Sequence, residues 1–228
     1  MSSRWRSLFA LWFSSLVLVG CKTENTTQTG AVGIHREQRM AISSASMNSA
    51  ANKQYAQLMA EAGKKGKLNA DAEQYARVKR IADRLIPQST VFRPDAPAWQ
   101  WEVNVITSPE VNAWCMPGGK IAVYTGLLEK LRLTDDELAA VMGHEVSHAL
   151  REHSRERASE QAVASVGISV VAAVVGVGSL GQKGMEYAYQ GLLGLPNSRT
   201  HEIEADRMGV ELAARAGYDP RAAISLWK

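Results

Sequence analysis

The chain has 228 residues, 46% of them apolar and 21% charged, which describes an ordinary globular protein able to bury one substantial core. Its net charge is +3, two of the positive charges (Arg4 and Arg6) belong to the leader described next, and no Lys/Arg block of the kind that tracks phosphates occurs. Nucleic acid is therefore excluded as a partner.

The chain opens with an address. Arg4 and Arg6 form a basic start, residues 8–19 are an apolar run shorter than the roughly 20 residues a spanning helix needs, and the run stops at Leu18-Val19-Gly20-Cys21. Residues 1–20 read as a signal peptide whose end looks like a bacterial lipobox, with Cys21 as the lipidated first residue of the mature protein. A membrane attachment through that lipid follows. Lys22, not being aspartate, implies the outer membrane by the lipoprotein sorting rule, so the domain would face the periplasm. Cys115 is then the only other thiol, and the core must hold by packing and metal without an intrachain disulfide. Residues 21–31, rich in Thr, Asn and Gln, read as a lipidated end and flexible tether, and residues 32–228 as a single domain.

Residues 32–65 lack proline and carry Met40, Met47, Tyr55, Leu58 and Met59, consistent with one or two helices that end at the Gly63 to Gly66 break. Residues 71–86 predict a further helix, with Tyr75, Val78, Ile81, Ala82 and Leu85 on one stripe and Pro87 ending it. Past the prolines at 94 and 97, residues 99–106 alternate as a strand. Residues 111–115 and 120–125 read as two more strands about the Pro117-Gly118-Gly119 turn, giving a small antiparallel sheet. One of these strands is a candidate edge for pairing with an extended peptide; a plain structural hairpin is the alternative.

Thr134 with Glu137 forms a capping box, and Asp135 and Asp136 suit the first turn of the helix that follows. That helix carries His144-Glu145-Val146-Ser147-His148, an HExxH motif. Two imidazoles four residues apart share a helix face and reach one metal ion, while the glutamate is placed to take a proton from a water that zinc activates. Leu138, Val141, Met142, Val146 and Ala149 give the helix a buried side. Arg151, Glu152, Arg155, Glu156, Arg157 and Glu160 read as a solvated, salt-bridged face, and His153, five residues past His148, is rotated away from the ligand pair on a continuous helix. Ser154, six residues after His148, stands where a three-histidine motif would have its last histidine, so the remaining ligand is a carboxylate from elsewhere. Glu202 and Asp206 share a face, so Glu202 could ligate and Asp206 accept from a ligand histidine; a different helix rotation would put Glu204 in that place.

Between the motif and these acids, residues 162–180 carry no charge and read as a buried or lid-like helix in preference to a membrane span. Residues 181–194 read as a mobile cover near the site, and Asp219-Pro220 starts a helix of about two turns. His201 is a weak candidate for stabilising an oxyanion.

Several of these stretches together resemble the gluzincin zinc metallopeptidase family that includes the CAAX prenyl endopeptidase, HtpX and the bacterial envelope proteases LoiP and BepA. They are Asn112-Ala113-Trp114 with Pro117-Gly118-Gly119-Lys120, the Tyr124 to Leu128 segment, the HExxH with its following Ala149 to His153, and the Glu202 to Asp206 spacing. The resemblance spans about residues 101–218. It implies a zincin-like α+β fold, mainly helical, with the small sheet beside the HExxH helix and one Zn2+ per chain. In that family the glutamate four residues before the aspartate is the third ligand, which corresponds here to Glu202 beside His144 and His148, with Asp206 behind them and Glu145 as catalytic base. Asn112, Ala113, Trp114, Pro117, Gly118 and Gly119 correspond to the strand and turn that hold substrate backbone. The implied function is an endopeptidase acting on misfolded envelope polypeptides, with outer-membrane assembly machinery as a candidate partner. The alternative is a chaperone-like lipoprotein that keeps zinc structurally and does not cleave; Glu145 argues against it, since a structural site needs no base.

Overall fold

A computed structural model describes residues 22–175 and 197–225, with side chains placed through residue 164 and again over 197–224. The leader, Cys21, the cover expected at 181–194, the end of the apolar 162–180 stretch and the last three residues lie outside the described residues.

The first described residues are not a tether. β1 (Lys22–Glu24) pairs antiparallel with β2 (Gln38–Met40), and Gln28 N–H donates to the Phe92 carbonyl at 2.7 Å. The polar composition that suggested a solvated linker serves a buried charge instead: Asn25 and Thr27 accept from the Arg151 guanidinium, and Thr26 donates to the Arg151 carbonyl. A buried arginine must have its donors satisfied, and this ribbon supplies the acceptors.

α1 (Ser44–Lys64) is capped by Ser43, which accepts from Ser46 N–H, and turns Met47, Ala51, Tyr55 and Met59 inward. α2 (Ala72–Leu85) is capped by Asp71, buries Val78, Ile81, Ala82 and Leu85, and gives way to a 3-10 turn containing Pro87. Both agree with the apolar spacing.

β3 (Glu102–Ile106), β4 (Ala113–Met116) and β5 (Lys120–Tyr124) form one sheet in the order β3-β5-β4. β4 and β5 are the expected antiparallel hairpin, but β3 runs parallel to β5, with Val103 opposite Ile121 and Val105 opposite Val123. The sheet is thus mixed, because alternation of apolar residues reports which face is buried and says nothing about strand direction. At the hairpin turn Gly119 has φ +83°, and a Cβ there would meet the Trp101 ring at 2.6 Å, so glycine is required twice over. β4 is left at the sheet edge, against the next long helix.

α3 (Thr125–Leu131) leads to α4 (Asp135–Leu150), followed by α5 (His153–Val175), α6 (Arg199–Arg215) and the short α7 (Ala222–Ser225). α4 and α6 meet backbone to backbone: a Cβ on Gly143 would lie 2.8 Å from the Gly209 carbonyl oxygen, and one on Gly209 would lie 2.6 Å from His144 N. That contact seats α6 against the motif. The core around it joins Ile81, Leu85, Leu138, Met142, Leu150, Met208 and Leu212. Cys115 is buried and free, and no helix among the described residues is long and apolar enough to cross a membrane.

Candidate metal centre

Local sequence fixes the start of α4. The Thr134 hydroxyl accepts from Glu137 N–H and the Glu137 carboxylate accepts from Thr134 N–H, with three acids in the first turn. Leu138, Ala139, Met142 and Val146 then hold one side of the helix in the core. His144 and Glu145 are left half-buried and His148 buried.

The two motif histidines face each other, Nε2 to Nε2, at 3.0 Å. Glu202 completes a triangle, with Oε2 3.4 Å from His144 Nε2 and Oε1 3.6 Å from His148 Nε2. These ligand-type atoms lie within 4.8 Å of one another. Asp206 Oδ1 lies 2.8 Å from His144 Nδ1, which puts the His144 proton on Nδ1 and a lone pair on Nε2. On the far side, His148 Nδ1 lies 2.8 Å from His153 Nδ1, and His153 Nε2 lies 2.9 Å from a Glu204 oxygen. Burial, with His153 and His144 next to it, pushes His148 down to about 2, so it is neutral at physiological pH as a metal ligand must be. Two imidazole lone pairs and a carboxylate turned to one point repel one another. A cation is what that donor set fits.

Glu145 is pushed up to about 8 by burial, with the Glu202 carboxylate adding to it. Next to Glu145 and His144 a cavity of about 450 Å³ opens, its apolar walls made by Ala140, Val141, Val210, Ala223 and Ile224, with Asp206 at its rim. Of the strand expected to hold substrate, Asn112 and Ala113 are half-buried, but Trp114 is buried edge-on against Tyr55, with ring centroids 5.8 Å apart at 88°. Its side chain belongs to the core. Pro117 and Gly119 are buried and Gly118 is half-buried, so backbone is what β4 offers along its outer edge.

The charged stretch after the motif is the main correction. Arg151 and His153 are 0% exposed, and Glu152 and Glu156 are also buried. His153 returns beneath His148 because the helix does not continue: Glu152 takes a left-handed φ of 54° between α4 and α5, held by ion pairs to Arg93 and Arg155. No glycine or proline marks that break. Glu204 lies beneath the site and does not face it, ion-paired to Arg36 at 2.8 Å and Arg151 at 3.2 Å. Burial alone would raise Glu204, but hydrogen bonds from His153, Arg36 and Arg151 outweigh it and hold the carboxyl below the usual range. Glu156 is held down in the same way, by Arg36, His201 and Gln38 against burial. His201 bonds Glu156 at 3.1 Å and stacks on His153, in the supporting layer and not over the motif.

His153, Glu156 and His201 also come close enough to hold an ion. Arg36 and Arg151 already neutralise the carboxylates there, so a further dication meets no uncompensated charge. The exposed-side group of His144, His148 and Glu202 is the candidate centre.

Residues 72–228 match the model of Peptidase family M48. The chain belongs to peptidase family M48. Among its relatives, the mitochondrial metalloendopeptidase OMA1 of Arabidopsis thaliana is 41% identical over 128 residues, 56% of this chain and 25% of the relative. The Schizosaccharomyces pombe OMA1 is 37% identical over 152 residues, 66% and 42% of the two chains. Metalloprotease LoiP of Escherichia coli is 26% identical over 217 residues, 94% of this chain and 81% of the relative. This M48 chain thus spans less than half the length of those OMA1 relatives and most of LoiP. Arg36 and Gln38, which brace the layer beneath the metal centre, precede the stretch that the M48 model matches.

Proposed function

We propose that this chain is a zinc-dependent endopeptidase that uses His144, His148 and Glu202 as metal ligands and Glu145 as proton carrier. The convergence of the three ligand atoms within 4.8 Å, with Glu145 beside them, carries the reading. Zinc, when bound, supplies a Lewis acid that polarises the scissile carbonyl and acidifies water toward neutrality. Glu145 takes the proton of the attacking water and returns it to the leaving amine. It sits beside His144 at the mouth of the cavity, placed to reach a water held there. Asp206 holds His144 in register. An extended peptide lies along the outer edge of β4, which no other strand covers among the described residues, and one apolar side chain enters the cavity lined by Val141, Val210 and Ile224.

The leader and Cys21 support attachment by lipid at the periplasmic face of the outer membrane, with misfolded envelope proteins as substrates. The catalytic part is tested by measuring zinc content and casein cleavage for the native protein and for Glu145→Gln. The variant keeps its zinc and loses cleavage by about 10²- to 10⁴-fold. Cleavage at the native rate by a zinc-loaded Glu145→Gln protein would overturn the hydrolytic assignment.

A further inference from the structure

One face of each motif histidine is tied to a carboxylate on α6, but the two ties differ. Asp206 meets His144 directly, whereas His148 reaches Glu204 only through His153. From this geometry we infer that His153 is a positioning residue for the metal centre: it holds the His148 proton on Nδ1 and so keeps the Nε2 lone pair turned toward His144 and Glu202. The inference rests on the reading of His144, His148 and Glu202 as metal ligands.

The proton assignment follows from the end of the chain inward. Glu204 accepts from Arg36 Nε at 2.8 Å and from Arg151 Nε at 3.2 Å, so it is an ionised acceptor and the His153 nitrogen 2.9 Å from it carries hydrogen. Arg36 and Arg151 already balance the Glu204 charge, so His153 carries one hydrogen, on Nε2, and its lone pair is on Nδ1. The His148 nitrogen 2.8 Å from that lone pair is then the donor of a buried imidazole-to-imidazole hydrogen bond, while the two Nε2 lone pairs 3.0 Å apart are left for a cation to bridge. His148 Nε2 is thereby free of hydrogen. The ring that does this cannot turn: His153 is fully buried, its plane lies at 68° to His148, and His201 stacks on it at 4.3 Å. The left-handed residue Glu152 is what brings it there, and backbone strain of this kind persists where surrounding contacts over-determine it. Histidine ligands elsewhere are oriented in one step by a carboxylate or carbonyl. Here a second imidazole is interposed.

The test uses the full chain, native and with His153→Leu or His153→Gln. Leucine fills the space without accepting a hydrogen bond. Glutamine can accept from His148 and donate to Glu204. Three quantities are measured: the His148 tautomer in the metal-free protein by long-range 1H–15N correlation, zinc affinity by competition with a chromophoric chelator, and the metal-free thermal midpoint. His148 of the native protein shows the Nδ1–H form. His153→Leu binds zinc about 10- to 100-fold more weakly, beyond any change in the midpoint, and His153→Gln recovers most of the loss. Native affinity in His153→Leu, equal losses in both variants, or an Nε2–H tautomer in the native protein would each overturn the inference. Should His153→Leu fail to fold, the native tautomer and the glutamine variant decide. A native protein that binds zinc with this tautomer yet cleaves no casein would sink the proposed function and leave this inference standing.

Discussion

At the scale of single residues, Glu202 and Glu204 separate two kinds of dependence on a carboxylate. The Glu202 side chain is 43% exposed and faces the two motif imidazoles, so Glu202→Ala yields a folded chain that does not retain zinc through dialysis. Glu204→Ala removes a buried partner from Arg36, Arg151 and His153 together, and the expected result is a loss of about 3 kcal/mol in urea unfolding of the metal-free protein. Equal stability losses in the two variants would contradict this division. Spacing along the chain left both glutamates open as ligands, because nothing local sets the rotation of α6. His153 was out of reach for a related reason: the rule that five residues rotate a side chain away holds on a continuous helix, and Glu152 interrupts this one without any residue that announces a turn.

At the scale of elements, the motif helix and its partner are positioned by two glycines. Gly209→Ala would push a methyl carbon against the backbone of His144, 2.6 Å away, and α6 would have to retreat with Glu202 and Asp206 on it. The expected outcome is a loss of about 1–3 kcal/mol in stability with weakened zinc binding, read by denaturation and chelator competition. Native affinity in that variant would show that the close approach does not set the site. What was legible in the sequence at this scale is what local chemistry determines: the capping box of α4, the apolar stripe of α2 and its end at Pro87, and the hairpin turn at Gly118-Gly119. What was not legible depends on partners distant in the chain. The parallel pairing of β3 with β5 is one case, and the docking of the polar segment after Lys22 onto a buried arginine is another.

At the scale of the whole molecule, a layer of buried charge lies behind the metal centre and makes stability sensitive to acid. Burial puts His148 at about 2 and His153 at about 4 in the folded chain, against an ordinary imidazole value of 6.5. Below pH 6.5 the unfolded chain takes up protons that the folded one refuses, so stability present above that pH is lost as it falls. Glu156 and Glu204, held below the usual glutamate value of 4.5, add a second loss with the same sign once the pH passes beneath that value. Glu145, raised to about 8, has the opposite sign between 4.5 and 8. The metal-free Glu145→Gln protein removes that opposition, and its unfolding free energy falls monotonically from pH 7 to pH 4. A flat profile over that range would mean that the buried histidines and glutamates are not coupled to folding as the geometry requires.

On the geometry of the site, α4 and α6 together would make one metal centre from His144, His148 and Glu202. It is tested most directly by an anomalous X-ray difference map of the zinc-loaded chain at the zinc edge. A single strong peak is expected about 2.0–2.2 Å from His144 Nε2, His148 Nε2 and a Glu202 oxygen. A peak among His153, Glu156 and His201, or one coordinated by Glu204 in place of Glu202, would contradict it.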